Sequence, residues 1–185
     1  MTFADVVSYV MGITKRPDKQ AETERAVNAA LSYFCLKEKF DKDIIESSIT
    51  INNSLYGDTI SLASLTRFRE FKYIKVPGKL SYLKRMDSTQ IFSPGGIMQK
   101  NCFYTAGTNL TYILSTLAPS LEVAYYTYPA VLSGVQTHWM LEISPYCVID
   151  KAAAEIFKTI GDDASFKIHE GFARDRYDVL VRDLA

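Results

Sequence analysis

Ile44-Ile45-Glu46-Ser47-Ser48-Ile49-Thr50-Ile51 is where the chain changes period. Ile45, Ser47, Ile49 and Ile51 alternate with Glu46, Ser48 and Thr50, the two-residue repeat of a strand with one wet face. Upstream the repeat is helical. Phe3, Val6, Val7 and Val10 recur at i, i+3, i+4 and i+7, and Thr2 with Asp5 is placed to cap that helix. A second helix is expected after Lys15-Arg16-Pro17-Asp18. Val27, Ala30, Leu31 and Phe34 form its apolar stripe, and Glu22, Glu24 and Arg25 face outward. Pro17 suits a helix start, where a missing N–H costs nothing.

Downstream, turn chemistry at Asn52-Asn53 and Tyr56-Gly57-Asp58 precedes strands expected at 68–76, 80–85, 101–105, 109–116 and 121–128. Pro77-Gly78, Pro94-Gly95-Gly96, Gly107 and Pro119-Ser120 separate them. The helical period returns from Thr137. Ser144-Pro145 marks a helix start, Ile149, Ala152, Ala153, Ile156 and Ile160 make its stripe, and Gly161 is placed for a left-handed stop. Asp162-Asp163 then opens a last helix. The expected class is α+β: a helical core of residues 1–42 and 137–185, forming one structural unit, interrupted by a central antiparallel β insertion at 43–136.

Twenty-one basic residues balance 21 acidic ones, so the whole molecule offers no electrostatic case for nucleic acid or an anionic membrane. Cys35, Cys102 and Cys147 are odd in number and far apart, neither a disulfide framework nor a metal motif. The N-terminus lacks the positive region of a signal peptide, and no window is apolar enough to span a membrane. A soluble, intracellular, unprocessed protein is the expectation. One segment is unusual. From Asn101 to Leu141 the only Asp, Glu, Lys or Arg is Glu122, and five tyrosines lie within it. Such a surface is either buried by the fold or shared with other copies of the chain.

Catalytic chemistry is hard to find. Cys102 with His138 is the one nucleophile–base pairing to weigh, but Cys102 sits in a strand-like run with nothing to lower its pKa. Residues 93–96 lack the lysine and glycine spacing of a phosphate loop and read as a hairpin connection. Two histidines without matching carboxylates make no metal site. No catalytic residue, metal ligand or cofactor is assigned. Between Arg67 and Arg85 only Glu70 opposes seven basic residues. That run is either a solvated strand face or a surface for phosphates or an acidic partner. In the last helix, Phe166, Ala173, Tyr177, Leu180, Val181 and Leu184 fall on one side at 100° per residue, while Ile168, Phe172 and Val179 fall on another. If the helix is continuous through Gly171, both stripes need cover, one of them from outside the domain.

Four places carry a resemblance. They are Ile13-Thr14-Lys15-Arg16-Pro17-Asp18 before Glu22 and Glu24; Arg67-Phe68-Arg69-Glu70-Phe71 leading into Tyr73-Ile74; Tyr125-Tyr126-Thr127-Tyr128-Pro129 ahead of Trp139; and Ala152-Ala153-Ala154-Glu155-Ile156-Phe157 running to Gly161-Asp162-Asp163. In this order the chain resembles the head-to-tail adaptor (connector, head-completion) proteins of tailed bacteriophages. The resemblance implies a helical core with a β insertion and a homo-oligomeric, twelve-subunit ring under the portal protein. It also implies contact with tail or nozzle proteins, genomic DNA passing through the lumen, no membrane, and a place in the virion neck after assembly in the host cytoplasm. On this expectation Phe172, Tyr177, Val179 and Leu184 meet the portal or a neighbour, and Tyr125, Tyr126 and Tyr128 meet along the ring. Arg67, Arg69, Lys72 and Lys75 form a basic inter-subunit or lumen face. Another neck, tail-completion or baseplate subunit is the alternative, and a cysteine hydrolase the enzymatic one.

Overall fold

A computed structural model of the chain describes residues 1–52, 56–87 and 99–184, with residues 56–58 described for their main chain alone. The turns expected at Asn53 and at residues 93–96 lie outside the described residues. The chain divides into two units, a helical one built from residues 1–42 and 128–185 and a β unit of residues 43–127.

The helical unit begins with α1 (Phe3–Thr14), set by a reciprocal capping box. The Asp5 N–H donates to Thr2 Oγ1 at 3.2 Å, and the Thr2 N–H donates to the Asp5 carboxylate at 2.9 Å. Lys15 ends the helix in the left-handed region. Arg16 then grips Asp18 through two bonds of 2.8 and 2.7 Å ahead of a 3-10 turn at Pro17–Lys19 that feeds α2 (Gln20–Lys37). Three helices complete the unit: α3 (Trp139–Ile143), α4 (Pro145–Thr159) and α5 (Asp163–Leu184). Gly161, at φ +77°, makes the expected stop between α4 and α5. Asp162 Oδ1 accepts the Ser165 N–H at 3.0 Å and caps α5, which runs unbroken through Gly171. The expected stripes meet in one core that includes Val6, Val10, Val27, Leu31, Phe34, Val148, Ile149 and Ile156.

The β unit holds strands β1 (Ile44–Thr50), β2 (Tyr56–Ser61), β3 (Phe68–Lys75), β4 (Lys84–Arg85), β5 (Cys102–Ala106), β6 (Asn109–Ile113) and β7 (Ser120–Thr127). They form two sheets, ordered β1-β7-β3 and β2-β6-β5-β4. All pairings are antiparallel apart from the two-residue match of β4 with β5. Ile49, Ile74, Leu121 and Val123 of the first sheet share one core with Phe103, Leu110 and Tyr112 of the second. A mixed α+β protein with an antiparallel β insertion is therefore what the chain forms.

Two boundaries differ from the sequence expectation. Tyr56-Gly57-Asp58, read as a turn, belongs to β2, and the irregularity in its pairing with β6 falls between Tyr56 and Asp58. A bulge uses the same residue types as a turn. The helical unit resumes at Tyr128 and not at 137. Asn28 on α2 causes this, because its amide mimics a strand neighbour. Its Oδ1 accepts the Leu132 N–H at 2.8 Å and its Nδ2 donates to the Leu132 carbonyl at 3.1 Å. The Phe3 and Ala4 N–H groups at the start of α1 donate to the carbonyls of Gln136 and Gly134. An irregular segment is thereby pinned to two helices. Asn28→Ala removes both bonds to Leu132, together with one to the Glu24 carbonyl, and leaves the Leu132 N–H and carbonyl without this partner. The expected cost is about 1–2 kcal/mol, read as a lower urea midpoint at unchanged slope; an unshifted midpoint would contradict this role.

Candidate functional site

The chemistry of the helical unit gathers where α5 lies on α4. Asp150 of α4 is 3% exposed and carries a charge that an apolar setting does not tolerate alone. His169 Nδ1 lies 2.9 Å from one of its oxygens, and Arg176 binds the other. Beside this clamp, Lys151 donates to Glu170 at 2.8 Å and pairs with Glu155 at 3.2 Å. Burial works to lower the Lys151 pKa, but the two carboxylates outweigh it and hold it above its ordinary value. These polar locks fix the rotation of α5 about its own axis.

With rotation fixed, the two stripes of α5 have separate fates. Ala173, Tyr177 and Leu180 face the core. The Tyr177 ring stacks on Phe34 with centroids 4.6 Å apart, and its hydroxyl reaches the Phe34 carbonyl. At 1% exposure Tyr177 cannot be a portal or neighbour contact as expected from the sequence, since the core has already taken it. Ile168, Phe172 and Val179 remain outside at 55%, 49% and 45% exposure. Leu184 is exposed at the end of the helix, beside a groove shared with Phe40, Lys42 and Trp139.

Around the outer stripe the surface is organised. The Phe172 edge meets His169, which itself stacks on Phe157 at 5.3 Å. The Arg176 guanidinium lies 5.2 Å from the Tyr146 ring centre and 5.9 Å from that of Phe172. Tyr9 of α1 packs edge-on against Tyr146. Ile143, Tyr146, Asp175, Arg176 and Val179 line an open groove of about 550 Å³. This face offers apolar rings in fixed positions, with one cation drawn across them. Covering the exposed half of each of its apolar side chains is worth on the order of 1 kcal/mol. His169 and Asp150 resemble half of a general-base arrangement, but the imidazole is packed by the Phe157 and Phe172 rings and, among the described residues, bonds to no hydroxyl or thiol.

The other expected sites separate into kept and lost. Tyr125 is buried in the β core against Phe68, so it is unavailable to a ring interface. Its burial follows from strand alternation, since Leu121, Val123 and Tyr125 of the middle strand share the inward face. Tyr126 is half-buried and Tyr128 exposed. The uncharged segment is absorbed only in part: Phe103, Leu110, Tyr112 and Leu121 enter the β core and Leu132, Met140 and Leu141 the helical one, while Leu117, Tyr128, Val131 and Val135 stay exposed. In the basic run, Lys75 pairs with Glu122 at 2.9 Å and Arg85 with Glu70 at 2.6 Å. Arg67 and Lys72 are exposed and Arg69 is half-buried. The interleaved Phe68 and Phe71 pack with each other and with Tyr125 and Phe103, so they are core. Cys102 donates to the Gln99 carbonyl at 3.0 Å, and burial pushes its thiol pKa up, opposite to what a nucleophile needs. His138 accepts the Met140 N–H as cap of α3.

Sequence reasoning missed the Asp150 clamp. A signal was present: Ala153, Ala154 and Phe157, at i+3, i+4 and i+7 from Asp150, are all apolar, and a carboxylate on that line requires a cation. No protein-family model matches the chain, and no curated protein matches it in sequence.

Two outcomes follow from this geometry. Asp150→Ala leaves His169 and Arg176 without their shared partner and should cost about 2–3 kcal/mol in urea unfolding, the half-exposed Arg176 reducing the full penalty of a broken buried pair; a loss under 0.5 kcal/mol would contradict the clamp. Alkylation of Cys102 in the native protein should be slower at pH 7 than that of an ordinary exposed cysteine and should accelerate as pH rises through 9, because a raised pKa withholds the thiolate. Fast labelling at neutral pH would contradict this and revive a nucleophilic role.

Proposed function

We propose that this chain is a non-enzymatic structural subunit of a phage virion, a head-to-tail adaptor. Copies would join as a ring beneath the portal protein, bridge it to the tail and keep a closed passage for packaged DNA. One observation carries the proposal. A helix locked in rotation by Asp150 leaves Ile168, Phe172 and Val179 in water beside Tyr146 and Tyr9. An ordered apolar face of this kind is characteristic of a surface completed by another protein. The four stretches that resemble the adaptor family, and the helical unit interrupted by a β unit, point to the same class of assembly. Phe172 and Val179 are the residues assigned to portal or neighbour contact, with Leu184 at the helix end. Tyr126 and Tyr128 are assigned to the ring, and Arg67, Arg69 and Lys72 to its charged face.

Phe172→Asp combined with Val179→Asp should leave circular dichroism and the urea midpoint nearly unchanged, within about 0.5 kcal/mol, because both side chains are already half in water. The same variant should fail to assemble on the portal in native mass spectrometry and fail to complete particles. Unfolding of the double variant, or full retention of portal binding and assembly, would contradict the proposal.

A further inference from the structure

The helical unit carries a second uncovered feature, a groove of about 740 Å³ between α2 and α4. Ala26, Ala29, Ala30 and Ile156 line it, Arg25 stands on one wall and the exposed Tyr33 ring closes one end. Alanine along one wall leaves room for a foreign side chain. The lining of α2 runs from Glu22 to Tyr33, eleven helical steps or about 16 Å. The outer stripe of α5 runs from Ile168 to Val179, the same eleven steps and the same length of about 16 Å.

The two features lie on opposite flanks of α5. With Phe172 at 0° and about 100° per residue, the buried Ala173, Tyr177 and Leu180 centre near 110°, the stripe lies between about −40° and 0°, and Glu170 lies near 160°. Glu170 bonds Lys151, and Lys151 lines the groove. The stripe therefore cannot reach the groove of its own chain, but it can reach that of another copy, and such a contact repeats from copy to copy.

Charge selects the register. Asp175 on the stripe's flank makes no ion pair among the described residues. Arg25 donates to the Ala21 carbonyl of its own helix; it feels Glu22 but makes no ion pair with it, and that carboxylate is held by Lys19 at 3.2 Å. Placing Asp175 against Arg25 with the helices antiparallel brings Phe172 level with Asn28 and Ala29, Ile168 with Ser32 and Tyr33, and Val179 with Ala21 and Glu22, so the stripe covers the groove. The parallel setting would run off its end.

We infer that the outer face of α5 of one copy seats in the α2/α4 groove of a second copy, antiparallel, with Asp175 meeting Arg25. The inference deepens the adaptor proposal and rests on its premise that copies join. Copies carrying Ala29→Cys, mixed at millimolar concentration with copies carrying Ile168→Cys, should be joined by a short bis-maleimide. Neither kind alone should be joined, since the native cysteines are buried. A chain bearing both substitutions should give a ladder beyond dimers. Arg25→Glu or Asp175→Arg should each cut the yield at least tenfold, and the two together should restore it. No cross-link in the mixture, dimers from one kind alone, or no restoration by the paired swap would overturn the contact. Cross-linking retained with portal binding absent sinks the adaptor proposal alone; a ring on the particle without the cross-link sinks this contact alone.

Discussion

Asp150 governs how the helical unit presents itself. Its carboxylate is almost out of water and is satisfied by His169 and Arg176, both supplied by α5. Two anchors seven residues apart lie nearly two turns along the same side of a helix, so they set its rotation as well as its position. Once rotation is set, Tyr177 must stack on Phe34 and Phe172 must stand outside. Hydrophobic burial alone would not choose between two apolar stripes with such confidence of register. A buried charge does, because misplacing it leaves an uncompensated ion.

The same constraint sets an ordered apolar face on α5, apart from the charge-poor middle of the chain. The segment from Asn101 to Leu141, almost free of charge, serves the protein's own cores through its strands and through Leu132, Met140 and Leu141, and leaves Leu117, Tyr128, Val131 and Val135 exposed. β7 is the middle strand of its sheet, and its inward residues Leu121, Val123 and Tyr125 have no use for charge. Its one acid, Glu122, points to the other side and is met by Lys75. Charge poverty was here a signature of burial in the strands alone. The surface proposed for a partner is smaller and more ordered: three side chains on α5, the rings of Tyr146 and Tyr9, and the alanine-lined groove between α2 and α4.

Local chemistry was legible in the sequence wherever the responsible atoms are neighbours in the chain. The Thr2–Asp5 box, the Gly161 stop, the Asp162 cap and the alternation beginning at Ile45 all act within a few residues. The two stripes of α5 were also legible, because periodicity fixes angles. Which stripe would be buried was not legible, and Tyr177 was placed at a portal or neighbour contact. Its fate depends on Phe34, 143 residues away. Tyr128 to Gln136 read as part of the β insertion because no helical period marks it; its tether is Asn28, again remote in sequence. Tyr56-Gly57-Asp58 misled for a different reason, since a bulge and a turn draw on the same residues.

The central claim is that one face of α5 belongs to the protein's own core and the other to a neighbour. Hydroxyl-radical footprinting, read residue by residue by mass spectrometry on the free chain and on the portal-bound or particle-bound chain, tests it most directly. Phe172, Ile168 and Val179 should be oxidised in the free chain and protected on assembly, while Tyr177 stays protected in both. Protection of Phe172 in the free chain, or unchanged oxidation of all three after assembly, would contradict it.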